Sequence, residues 1–179
     1  MTFRQYIESC YYDLPLWVYL MAISLFVCTH ILLFYVRRKV DFLKISSKVF
    51  LMIYVSMIYA STVCYRSVKE IREYNYSPLW SYYTTNEDSL NLKYEIIMNI
   101  IAFVPLGFAL ACIENKVRWW LPIVFGGGIS LSIEASQYIF KRGFSELDDV
   151  IHNTIGCTVG YILYFIIAKS CRYFMNLFR

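Results

Sequence analysis

Hydrophobic positions along this chain fall into long unbroken runs rather than the short alternations of a soluble fold. They cover Leu14 to Val36, Ile45 to Tyr65, Ile96 to Ile113, Trp119 to Phe140 and about Val150 to Ala168. Each run is close to the ~20 residues a helix needs to cross the hydrocarbon core of a bilayer. Inside hydrocarbon every backbone N–H and C=O must find an internal partner, so runs of this kind are helices. The pattern predicts an all-α, polytopic integral membrane protein with about five transmembrane helices, built as one domain over residues 1–179.

The connections refine the picture. Glu8 and Asp13 precede the first run and Arg37-Arg38-Lys39 closes it, which reads as a stop-transfer flank rather than a cleavable leader. Placing the connection after that run inside puts ten of the 17 Lys and Arg residues on the inner side and seven on the outer side. Positive charge near span ends favours the inner face, so the chain is expected to run N-terminus out and C-terminus in. The longest connection, Arg66 to Lys93, is then external. It carries Tyr74-Asn75-Tyr76-Ser77-Pro78-Leu79-Trp80-Ser81-Tyr82-Tyr83, a density of aromatic rings suited either to the headgroup layer or to a platform for a lipid head or a sugar.

Composition agrees with this class: 59% of residues are hydrophobic, 17% are charged and the mean hydropathy is +0.48. The net charge of +4 gives no nucleic-acid surface, because the basic residues sit mainly at span ends. Six cysteines are present, without a C-x-x-C pair, and they read as small hydrophobes in packed helices. A bridge from Cys10 to Cys64 on the outer side is compatible with this topology, but nothing in the sequence supports it. With two histidines, His30 and His152, and no clustered cysteines, neither a metal site nor any cofactor is expected. His30 reads as a packed or interfacial side chain.

Polar residues inside the runs carry the chemistry, since a carboxylate at the middle of a membrane helix costs roughly 2.5–3.5 kcal/mol on insertion scales. Asn99 and Pro105 interrupt the third run, and Pro105 removes a backbone hydrogen bond near Ile101. Glu134 and Gln137 are three apart near the end of the fourth and share a helix face. Arg142, Asp148 and Asp149 occupy the next connection. Asn153 opens the fifth run, and Gly156-x-x-x-Gly160 follows as a small-residue packing pattern, preferably intramolecular. Under the expected topology Asn99, Glu134, Gln137, Arg142, Asp148, Asp149 and Asn153 converge at the outer leaflet, rimmed by Tyr76, Trp80 and Tyr82. They form either a polar network that pins three helices together or a pocket. The carboxylate surplus suits a cation, an amine or a metal-bridged phosphate, with Arg142 available to clamp a phosphate or carboxylate.

The order Glu134-x-x-Gln137, Arg142, Asp148-Asp149-x-x-x-Asn153-x-x-Gly156, preceded by Asn99-x-x-x-Phe103-x-Pro105-x-Gly107, resembles the VanZ-like family of bacterial membrane proteins. The motif-bearing core spans about residues 96–168. The resemblance implies a cell-envelope factor of the bacterial cytoplasmic membrane that lowers susceptibility to teicoplanin and related glycopeptides, with the drug or a lipid-linked peptidoglycan precursor as ligand and membrane lipids as neighbours. Two other classes stand beside it. An enzyme on a lipid-linked substrate would use two carboxylates as acid and base, although no motif names a reaction. A transporter would use the ionisable residues as a path, although they collect on one side. Oligomeric state is not legible. The topology predicts that a single cysteine at Ser89 or Ser145 labels from outside intact cells and one at Ser46 does not; the reverse pattern overturns the orientation.

Overall fold

A run of apolar residues becomes a helix here wherever no turn chemistry intervenes, and the computed structural model describes the result for residues 40–83, 89–114 and 116–177. Helix α1 covers Val40–Tyr59 and ends in a π-helical turn at Ala60–Cys64. Strand β1 at Glu73–Asn75 and the single turn α2 at Trp80–Tyr83 lie in the long connection. Helix α3 covers Ser89–Ile113, α4 Leu121–Phe140, and after strand β2 at Phe144–Glu146 the chain closes with α5, Leu147–Leu177. Among the described residues three helices are long and apolar enough to cross a membrane, over Lys44–Cys64, Asn91–Ile113 and Leu147–Ser170. The expected first crossing, Leu14 to Val36, lies outside the described residues, as do Cys10 and His30. The expected fourth crossing forms as α4, but it is not one of these three, because Glu134, Gln137 and three glycines dilute its apolar content.

The described helices pack around α5, which lies against both α3 and α4. Its contact with α3 is a backbone contact. A Cβ added at Gly156 would overlap the Ile100 carbonyl, one at Gly160 the Val104 carbonyl, and one at Gly107 the Cys157 carbonyl. Small residues admit such an approach and dispersion rewards it, in a solvent where apolar burial gives no advantage. The small-residue pattern is therefore used within the chain. On the other side of α5, Gly126 of α4 receives Cys157, where a Cβ would come within 2.6 Å of the cysteine Cβ. Phe50, Tyr54 and Ile58 of α1 close the core against Phe103 and Leu106 of α3. Apolar side chains on the outside, such as Ile97, Ile101, Ile162 and Ile166, remain exposed, as a lipid-facing surface requires.

Pro105 sits inside α3 without ending it. The hydroxyl of Tyr54 donates to the carbonyl of Ala102 at 3.1 Å, one residue from the expected acceptor, so a neighbouring helix supplies a donor beside the gap.

The two connections expected on one side of the membrane do meet. β1 and β2 pair in parallel, with Glu73 opposite Phe144, Tyr74 opposite Ser145 and Asn75 opposite Glu146. Val68 and Arg142 form an antiparallel bridge beside them. This pairing buries Ser145 to 1% exposure, so the labelling test of the expected orientation uses the exposed Ser77 in its place.

The glycine contact predicts a sharp contrast. Gly160→Ala forces α3 and α5 apart and lowers the thermal unfolding midpoint in detergent, with an overpacking cost of about 1–3 kcal/mol. Gly128→Ala, where nothing lies within 4 Å, leaves it unchanged or raises it. Equal effects would disprove the close-approach role.

Candidate functional site

The site is assembled at the end of the bundle where α4 stops and α5 starts. Lys141 ends α4 in the left-handed conformation at φ 55°, with its N–H on the Gln137 carbonyl. Gly143 follows at φ 90°. The chain then turns through β2 directly into α5, which starts at Leu147, earlier than the sequence suggests. Asp148 and Asp149 consequently lie in the first helical turn, where the unpaired N–H groups favour anions.

Four of the expected residues come together between α3, α4 and α5. Asn99 donates from Nδ2 to Asp149 Oδ1 at 2.7 Å. Asn153 donates from Nδ2 to Ser130 Oγ at 2.8 Å, and Ser130 donates to the Asp149 carbonyl at 3.4 Å. Glu134 is buried at 4% exposure and accepts the Glu146 backbone N–H at 2.8 Å. It thereby fixes the corner between α4 and α5 as well as supplying charge.

Asp148 is turned elsewhere. Its Oδ1 accepts the Leu79 N–H at 2.5 Å, and its Oδ2 accepts the Ser81 N–H at 3.0 Å and the Ser81 hydroxyl at 2.6 Å. It therefore caps the short helix α2 and holds Leu79 at φ 60°, a conformation that costs a bulky residue about 1 kcal/mol or more. The aromatic rim is pinned to the same corner. Trp80 donates from Nε1 to Glu146 Oε2 at 3.0 Å, the Tyr82 hydroxyl bonds His152 Nε2 at 3.0 Å, and the Tyr76 hydroxyl lies 3.4 Å from Ser145 Oγ.

Gln137 and Arg142 belong to a different structure. Gln137 donates from Nε2 to the Thr62 carbonyl at 3.0 Å. Arg142 donates from Nη1 to the carbonyls of Val63, Cys64 and Arg66. These carbonyls end α1, whose last turn cannot satisfy them itself. The role expected of Arg142, a clamp for a ligand anion, gives way to that of a cap on α1.

The cation whose charge reaches Glu95, Glu134 and Asp149 is Arg66. Its guanidinium crosses Gly143, where an added Cβ would come within 2.7 Å of Arg66 Nη1. Glu95, Glu146, Arg66, Ser130 and His152 are the members that sequence reasoning passed over. Glu95 lies one turn before Asn99 on the same face of α3, a spacing that could have found it. Arg66 and Glu146 come from paired connections and carry no periodic signal. Among the described residues no group of three His, Cys, Asp or Glu side chains is placed to hold a metal ion.

Burial, with the charges of Asp149, Glu95 and Asp148 added, pushes the Glu146 carboxyl up to about 8, against the opposing N–H of Trp80. The folded form thus holds a proton that an unfolded chain has released at neutral pH. Stability contributed by this group is complete at acid pH and falls as pH rises toward the folded value. The unfolding midpoint should drop between about pH 5 and about pH 8, and the drop should shrink in Glu146→Gln. An identical pH profile in that variant would remove Glu146 from the account.

Comparison with known proteins places this geometry. The chain is 32% identical over 100 residues to Protein VanZ of Enterococcus faecium, covering 51% of this chain and 60% of that protein. It is 33% identical over 91 residues to an uncharacterized membrane protein of Saccharomyces cerevisiae, covering 49% of this chain and 14% of the yeast protein. The chain thus spans less than two thirds of the length of either curated relative. No solved structure matches it. The VanZ/LLP1 family model matches residues 48–168, which contain α1 from its third turn, the whole polar corner and α5 as far as Ala168. The chain is a membrane protein that belongs to the VanZ/LLP1 family.

Proposed function

We propose that this protein acts at the outer face of the bacterial cytoplasmic membrane, N-terminus out and C-terminus in. There it lowers susceptibility to teicoplanin-like glycopeptides by binding the drug or a lipid-linked peptidoglycan precursor. The binding element is the polar corner of Asn99, Glu134, Asp149 and Asn153 under the aromatic segment from Tyr76 to Tyr82. The observation that carries the reading is the way Glu146, Asp148 and His152 hold Trp80, Ser81 and Tyr82 over that corner. A lipid-facing aromatic belt needs no such tethers, because rings at the headgroup level are held by the interface itself. A binding surface does need them, since side chains fixed beforehand lose less freedom when a ligand arrives. The kinship with Protein VanZ of Enterococcus faecium supports the envelope setting.

The test is drug challenge of a susceptible bacterium expressing each form at equal level. Glu134→Gln and Asp149→Asn should abolish protection against teicoplanin while the protein remains inserted. Arg142→Ala should reduce protection only as far as it loosens the end of α1, seen as a lower unfolding midpoint. Full protection by well-expressed Asp149→Asn would reduce the corner to a structural network.

A further inference from the structure

The end of the bundle opposite the polar corner, where α3 stops and α4 starts, is built differently. The candidate span Asn91–Ile113 ends there, and the chain turns through Lys116-Val117-Arg118-Trp119-Trp120 into α4. The hydroxyl of Tyr161, a residue of α5 that is 1% exposed, accepts the Arg118 N–H at 3.0 Å and donates to the Lys116 carbonyl at 3.4 Å. The Leu121 N–H closes the turn on the Arg118 carbonyl at 3.1 Å. One buried residue thus fixes the backbone of the turn and leaves all its side chains, Lys116 to Trp120, exposed.

Those side chains divide by character. Val117, Trp120 and Trp119, the last at 75% exposure, are apolar, and Ile123 and Val124 continue their surface along the outside of α4. Indole rings favour the layer between hydrocarbon and water. Lys116 and Arg118 are cationic. Lys116 has no acidic partner among the described residues, and Arg118 reaches Glu114 at 3.7 Å, an exposed pair of little worth. Cations at the other end are engaged within the fold: Lys69 pairs with Glu73, Arg142 caps α1 and Arg72 lies over Tyr138. Lys44 and Lys48 near the start of α1 and Lys169 near the end of α5 add positive charge to the turn's end of the bundle, against Asp41 and Glu114.

Cations without acidic partners, set beside rings that seek the interface, complement an anion carried at that depth. Guanidinium and ammonium groups both hydrogen-bond phosphate, and basic clusters next to a span gain from acidic lipid. A phospholipid offers phosphate and hydrocarbon together, whereas a soluble anion offers only the first. We infer that the turn Lys116 to Trp120 is a binding site for the headgroup of an acidic phospholipid, with Lys116 and Arg118 on its phosphate and Trp119 and Trp120 beside its glycerol. The site lies at the far end of the bundle from the polar corner and does not depend on what that corner does.

With Trp17 and Trp80 replaced by Phe, the emission of Trp119 and Trp120 reports on the turn. The full chain is placed in phosphatidylcholine discs in which a minor fraction of the lipid carries brominated chains, which quench indole emission. Brominated phosphatidylglycerol should quench about fivefold more strongly than brominated phosphatidylcholine at the same fraction, the worth of one cation at an acidic surface. Lys116→Gln combined with Arg118→Gln should bring the two lipids level at an unchanged unfolding midpoint. Arg72→Gln combined with Lys93→Gln removes the same charge from the other end and should leave the preference intact. Glycerol phosphate in solution should not displace the lipid. Equal quenching by the two lipids in the folded protein, or a preference that survives loss of both turn cations, overturns the inference. So does loss of the preference in the Arg72 and Lys93 variant, which would make it an effect of net charge. Displacement by glycerol phosphate overturns it as well, because the turn would then take a soluble anion.

Discussion

Backbone contact between α3 and α5 is the constraint on which the rest depends. Gly107, Gly156 and Gly160 let two helices approach until carbonyl oxygens occupy the space a side chain would need. In a lipid environment, where apolar burial gives little, this close packing is what aligns the pair. The alignment has a chemical consequence. It fixes the register in which Asn99 meets Asp149, and with Gly126 against Cys157 it brings Ser130 of α4 to Asn153. Polar residues on three helices thereby share one end of the bundle.

The connections use that end in two ways. One set of side chains serves the scaffold: Gln137 and Arg142 close the last turn of α1, and Glu134 secures the entry to α5. Another set serves the aromatic segment: Glu146, Asp148 and His152 each hold one residue of Trp80 to Tyr82. The same carboxylates therefore tie the fold and charge the site. The geometry holds these polar side chains in a network that joins three helices and two connections. Tyr138 extends the arrangement outward, packed edge-on against Tyr74 at 5.6 Å with Arg72 5.5 Å from its ring centre.

The membrane class, the helical fold and the family were legible in the sequence, because hydrocarbon admits so few backbone solutions that apolar run length alone selects them. Glu134 and Asn153 stood out for a related reason: a polar residue in such a run is expensive, so its presence is informative. Gly156 and Gly160 were recognisable as a packing face from their spacing, although spacing does not name the helix that receives them. Only the tertiary structure decided the partners. It gave Arg142 to the end of α1 and laid Arg66 across Gly143, a choice set by the pairing of two distant connections. It also brought Glu95 and Glu146 into the cluster, since neither stands out in a polar stretch where charge costs nothing in the unfolded chain. Periodicity specifies which face a residue occupies. Which opposing face it meets depends on contacts between residues far apart in sequence, and those form only when the helices pack.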